Sequence, residues 1–191
     1  MISLVMGKSS SGKSGFAEDL ALKSGSFRTY YIATMKIMDE EAAKRRDRHR
    51  KMRRGKGFVT LEIPCHIDTA PSLMTGPENC TVLLECIANL VGNVMHEPEY
   101  EQALVHTGGG CTGGGDQCEM YLSDLTGTVI SLVTKLASKV RHLIVVTSIF
   151  EKEGCEKTDD ETQTYIRLMD MVNDRLTDMA DEVYKIVDIR Y

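Results

Sequence analysis

No stretch of this sequence is apolar for anything near the length of a bilayer span. The first residues show no basic region followed by an apolar segment, which is the layout of a secretory leader. These absences predict a cytoplasmic protein with no membrane span. Positive charge is not in excess either: 23 Lys and Arg against 28 Asp and Glu leave a formal charge of −5. That balance argues against general nucleic-acid or anionic-membrane binding. None of the six cysteines (Cys65, Cys80, Cys86, Cys111, Cys118, Cys155) falls in a C-x-x-C pair. Free, mostly buried thiols are expected, with a zinc site or a structural disulfide as the alternative. Internal repeats are absent. A chain of 191 residues, 42% hydrophobic and 27% charged, reads as one domain over 1–191 that needs no disulfide to hold its core.

What is present is concentrated at the start. Ile2-Ser3-Leu4-Val5-Met6 is too short an apolar run for a helix and suits a buried strand. It runs into Gly7-Lys8-Ser9-Ser10-Ser11-Gly12-Lys13-Ser14, a match to G-x-x-x-x-G-K-[ST], and helix formers follow from Phe16. Strand, glycine-bounded loop and helix together predict a phosphate site. The loop's backbone N–H groups converge on one phosphate, and the helix adds its positive end. Lys13 is placed to reach the β- and γ-phosphates, and Ser14 to complete a magnesium shell. The chain is therefore expected to bind a nucleoside triphosphate with Mg2+.

Further along, strands are predicted at Phe27–Ala33, Phe58–Ile63, Thr81–Glu85, His142–Thr147 and Glu182–Ile189. Helices are predicted over Asp39–Arg54, Cys86 to about Met95, Leu122–Ser138 and Glu161–Ala180. Thr69–Pro77 reads as a loop with a short helix, Glu99–Val105 as a helical turn and Phe150–Asp160 as polar loop. Thr107–Gly115 has six glycines in nine residues and reads as a flexible segment within the domain, with phosphate binding as a weaker alternative. Alternating strands and helices indicate a three-layer α/β sandwich on a mostly parallel sheet.

Two constellations stand beyond the loop. Glu85 closes a buried strand, at the edge where ligands gather in α/β sheets. It is placed either as the acid that holds magnesium or as a cap of the following helix. His49 lies among Arg45, Arg46, Arg48, Arg50, Lys51, Arg53 and Arg54, in a helix with no core-facing stripe. Helical spacing stacks Arg45, His49 and Arg53 on one face. Such cations would depress the histidine pKa and draw in a triphosphate. From the residues alone, a solvated basic face or a nucleic-acid patch remains the blander alternative.

The order of motifs then becomes specific. Gly7–Ser14, Tyr31-Ile32-Ala33-Thr34, Asp39-Glu40-Glu41, Arg45-x-x-x-His49-Arg50-x-x-Arg53, Glu62 before Ile63-Pro64, and Leu83-Leu84-Glu85-Cys86 followed by Asn93 occur in sequence. Val145-Val146-Thr147, Asn173 and Ala180-Asp181-Glu182-Val183 continue the pattern. The chain resembles the bifunctional adenosylcobinamide kinase/adenosylcobinamide-phosphate guanylyltransferase family of cobalamin biosynthesis, densely over 1–95 and thinly over 96–140. It departs from that pattern at Lys8, at Ser148-Ile149-Phe150-Glu151, and around Tyr165–Val172.

The resemblance implies a P-loop, RecA-like sandwich, commonly assembled as a trimer. It implies that His49 takes GMP from GTP as a covalent phosphoramidate. It assigns Ala33, Thr34, Met35, Arg50, Lys51, Met52, Arg53, Glu62 and Glu85 to the guanine-nucleotide site. Glu62 there would accept from the guanine N1–H and N2 amine, which adenine cannot offer together. The expected activity is phosphorylation of adenosylcobinamide with ATP or GTP, then guanylyl transfer from GTP to give adenosylcobinamide-GDP. A P-loop kinase without the guanylyl step, or a non-catalytic nucleotide-binding module, are the other two functions the sequence allows.

Overall fold

A computed structural model describes residues 1–37, 40–98, 116–150 and 159–187, without the side chains of Ala42, Arg45, His49 and Met52. Six strands form one sheet: β1 (Ile2–Gly7), β2 (Thr29–Ala33), β3 (Phe58–Glu62), β4 (Thr81–Glu85), β5 (His142–Ser148) and β6 (Glu182–Ile186). Their spatial order is β3-β2-β4-β5-β1-β6, and every neighbouring pair is parallel. The helices are α1 (Lys13–Leu22), α2 (Glu40–Arg53), α3 (Ile87–Met95), α4 (Asp116–Ala137) and α5 (Asp160–Met179).

The inner strands are nearly continuous apolar runs because both sheet faces are covered. Leu4, Tyr30, Ile32, Val82, Leu84, Leu143 and Val145 point to the larger core, which α3, α4 and α5 cover. Val5, Tyr31, Leu83, Ile144 and Val146 point the other way, against Ala17 and Ala21 of α1. This alternation is the period of two that a strand imposes. The expected three-layer sandwich is what the chain forms, with the sheet parallel throughout.

Several element boundaries move. β2 begins at Thr29, since Phe27 is 69% exposed and the strand's buried run starts only at Tyr30. α4 begins six residues before the predicted Leu122, because Cys118 and Tyr121 extend its buried stripe by a further turn. The loop predicted at Thr69–Pro77 holds two 3-10 helices, Ile67–Leu73 and Pro77–Asn79. β6 ends at Ile186, and the predicted continuation from 188 lies outside the described residues, as do Glu99–Val105, Thr107–Gly115 and most of Phe150–Asp160. Cys65, Cys80, Cys86 and Cys118 are free thiols, and no three metal-ligating side chains cluster among the described residues. Cys111 and Cys155 lie outside the description. No described helix is long and apolar enough to cross a membrane.

The two edges of the sheet differ in chemistry. At the N-terminal edge Ser3 Oγ donates to Glu182 Oε2 at 3.0 Å and lies 2.8 Å from His142 Nε2. A carboxylate only accepts, so the single hydroxyl proton is committed to it and His142 must be the donor to Ser3. Burial holds this imidazole below the usual histidine value. The trio ties β1, β5 and β6 together and has no free nucleophile. The C-terminal edge carries the phosphate loop, Glu62 and Glu85, and there the functional groups converge.

Candidate active site

The loop from Gly7 to Ser14 is shaped by its own backbone. A Cβ at Gly7 would sit 2.6 Å from Ser11 Oγ and 2.8 Å from the Ile186 carbonyl oxygen, so only glycine fits. Gly12 has φ 87°, the left-handed region that glycine adopts without a steric cost. It precedes α1 without contributing a side-chain cap, which leaves the first amides of the helix for a ligand. Lys13 Nζ donates to the Lys8 carbonyl at 3.0 Å, so the lysine lies folded across the loop. Ser9 and Ser10 are exposed, and Ser11 is buried with its hydroxyl lacking a partner among the described residues.

Ser14 and Glu85, the two expected magnesium ligands, meet directly. Ser14 Oγ donates to Glu85 Oε1 at 2.5 Å, across from the N-terminus of α1 to the end of β4. The helix-cap alternative for Glu85 is not what the chain uses, since α3 has no side-chain cap. Glu85 Oε2 is buried and without a hydrogen-bond partner among the described residues. A hydroxyl and a carboxylate with an unused oxygen are the hard donors Mg2+ takes, so the residues present fit that ion.

Strand register sets Glu62 and Glu85 on either side of Ala33. Above them lies a cleft lined by Tyr31, Ala33, Met35, Glu62, Glu85, Cys86 and Asn89, with Arg46 and Arg53 from α2. Arg50 spends Nε (2.8 Å) and Nη2 (2.6 Å) on the same Glu62 oxygen, Oε1. Arg53 instead lies over the Tyr31 ring, 3.8 Å from its centroid, and is 7% exposed. Past the helix, Lys56 Nζ meets Glu18 Oε2 of α1 at 2.5 Å, which ties the end of α2 to the phosphate-loop helix. His49 is in α2, four residues before Arg53, but its side chain and that of Met52 lie outside the described residues. Lys51 is exposed and is not among the residues lining the cleft.

Some expected site residues hold the edge together. Thr34 is fully buried; its hydroxyl donates to the Cys86 carbonyl and accepts from the Cys86 N–H, both at 2.8 Å. Asn93 Nδ2 donates to the carbonyls of Thr34 (2.7 Å) and Pro64 (2.8 Å), which fixes α3 across the ends of β2 and β3. Thr147 Oγ1 donates to Asn173 Oδ1 at 2.6 Å, and Asn173 Nδ2 donates to the Ser148 carbonyl at 3.0 Å. The scattered polar residues of the motif thus buttress the C-terminal edge.

Reasoning from sequence assigned no site role to Tyr31, Cys86 or Asn89, and counted Arg46 only among the cations around His49; all four line the cleft. A signal for Arg46 existed: it precedes Arg53 by seven residues, about two helical turns, so the two share a face. Burial pushes the Cys86 thiol up to about 11, which keeps it protonated near neutral pH.

The family model described as cobinamide kinase / cobinamide phosphate guanyltransferase matches residues 3–188. The bifunctional adenosylcobalamin biosynthesis protein of Escherichia coli K12 is 39% identical over 97 residues, about half of each chain at 51%. Its namesake from Salmonella typhimurium LT2 is 29% identical over 194 residues, covering 98% of this chain and 96% of that one. Among solved structures, the flagellar accessory protein FlaH of Methanocaldococcus jannaschii aligns at TM-score 0.36 and 13% identity, over 88% of this chain and 67% of that one. A likeness that loose assigns neither ligand nor activity.

Proposed function

The chain belongs to the cobinamide kinase / cobinamide phosphate guanyltransferase family, and from that premise we propose that it phosphorylates adenosylcobinamide and then guanylylates the product through a GMP-histidine intermediate. The observation that carries this reading is Glu85, which bonds to Ser14 of the phosphate loop and also lines the cleft beneath α2. One carboxylate therefore serves the loop suited to a triphosphate and the cleft that two arginines enter.

In the kinase step the loop amides and Lys13 hold the β- and γ-phosphates while the aminopropanol hydroxyl of adenosylcobinamide attacks the γ-phosphorus. Positioning and charge neutralisation dominate such transfers, so no dedicated base is required. Ser14 and Glu85 would hold Mg2+, which supplies positive charge to the phosphate oxygens. In the second step His49 attacks the α-phosphorus of GTP. A P–N bond forms, the α–β anhydride breaks, and pyrophosphate leaves. An oxygen of cobinamide phosphate then attacks the same phosphorus and the P–N bond breaks, releasing adenosylcobinamide-GDP and free histidine. Splitting one displacement into two is ordinary nucleophilic catalysis. Assembly as a homo-oligomer, a trimer by resemblance, belongs to the same reading.

Incubation with adenosylcobinamide, GTP and Mg2+ tests it: adenosylcobinamide-GDP and pyrophosphate should accumulate together. Adenosylcobinamide phosphate with GDP alone would leave a kinase without guanylyl transfer, and no turnover would leave a binding module.

Base selection gives a second expected result. Glu62 has Oε1 engaged by Arg50 and is placed at the cleft with its other oxygen available to a base. Glu62→Gln should weaken GTP binding far more than ATP binding. Losing a charged hydrogen bond corresponds to roughly 1.5–3 kcal/mol, about ten- to a hundredfold. Titration of both nucleotides checks this, and equal weakening would show that Glu62 does not read the base.

A further inference from the structure

Arg53 is the unusual charge of the cleft. It is buried to 7% exposure, forms no ion pair among the described residues, and its Nε–H has no acceptor there. Arg50, one turn earlier, is neutralised by Glu62. What Arg53 has is the Tyr31 ring, 3.8 Å away. That ring is itself fixed, 2% exposed and edge-on to Phe58 at 5.8 Å. A neutral aromatic face attracts a guanidinium and supplies no opposing charge, so the cation stays available to an anion. Both residues line the same cleft as Glu62 and Glu85.

Resting on the guanine-nucleotide reading above, we propose that Tyr31 is a positioning residue: its ring holds the Arg53 guanidinium flat at the cleft wall, where the unpaired charge meets a phosphate of the bound nucleotide. The partner of Arg53 is thus the anionic phosphate chain and not the base. A tyrosine that merely filled space beneath α2 would act on all ligands alike.

Equilibrium binding of GTP, GMP and guanosine to the full chain separates the two. Tyr31→Phe keeps the ring and should bind GTP within about twofold of wild type. Tyr31→Leu and Arg53→Met should each weaken GTP and GMP roughly tenfold or more. The double variant should be no weaker than Arg53→Met alone, because both changes remove one arrangement. Guanosine, which has no phosphate, should be unaffected by any of them. Losses that multiply, a phenylalanine variant as weak as the leucine one, or equal losses for guanosine would each overturn the proposal.

If Tyr31→Leu fails to fold, Arg53→Lys takes its place. Lysine keeps the charge but has no plane to lay on the ring. It should lose roughly tenfold for GTP, and full affinity would overturn the proposal. Failure of wild type to bind GTP would overturn the nucleotide reading and this inference with it. Normal wild-type binding with multiplying losses would remove this inference alone.

Discussion

A chain carrying His49→Ala should phosphorylate adenosylcobinamide at close to the wild-type rate and form no adenosylcobinamide-GDP. The split follows from where the two steps are placed. The proposed phosphoryl transfer is assigned to the loop Gly7–Ser14, whose lysine and serine contact Lys8 and Glu85 and not α2. In the proposed mechanism guanylyl transfer runs through a nucleophile that carries GMP from GTP to cobinamide phosphate, and alanine supplies none. Loss of a covalent nucleophile lowers turnover by roughly four orders of magnitude or more. Other histidines should not substitute. His66 and His96 are exposed, and His142 is committed to Ser3 at the opposite edge of the sheet. Separate assays for cobinamide phosphate and for pyrophosphate release would register the split. Loss of both activities in a folded variant would mean that position 49 supports the structure and not the second chemistry.

Lys13→Ala should remove the first activity. The ammonium group lies across the loop on the Lys8 carbonyl, and α1 anchors to the core through Ala17 and Ala21 instead. The lysine therefore contributes little to folding, and the unfolding free energy should change by no more than about 0.5 kcal/mol, as for a surface change. In the proposed kinase step its charge acts where negative charge accumulates in the transferring phosphoryl group. Removing one such preorganised contact costs roughly two to three orders of magnitude in kcat. Steady-state phosphorylation with saturating nucleotide, beside a thermal melt, measures both quantities. A folded variant with near-normal turnover would contradict the assigned role of the loop.

The framework was legible because each of its signals is local. Short buried runs such as those holding Leu83-Leu84 and Ile144-Val145 suit strands between two helical layers better than helices, and the loop from Gly7 to Ser14 has its own signature. Glu85 could be placed because it closes such a run. Side-chain commitments were not legible. Thr34 belongs to the motif, but nothing local shows that its hydroxyl turns inward to clasp Cys86. Arg50 and Glu62 are twelve residues apart, on α2 and at the end of β3, and only the tertiary fold brings the two side chains together. The stacking of Arg53 on Tyr31 depends on which sheet face that tyrosine takes, which strand register fixes and composition does not. The early start of α4 was hidden by the glycine run before it, although Cys118 and Tyr121 continue its stripe.

The central claim is that GMP passes through His49. It is tested most directly by incubating the wild-type chain with GTP labelled at the α-phosphate and, in parallel, at the γ-phosphate. Label from the α-position should remain on the protein as an adduct that acid releases and alkali spares, as a phosphoramidate does, and peptide mapping should place it at residue 49. Label from the γ-position should give no such adduct. An adduct mapped to another residue, or none from a chain that binds GTP and releases pyrophosphate, would contradict the account.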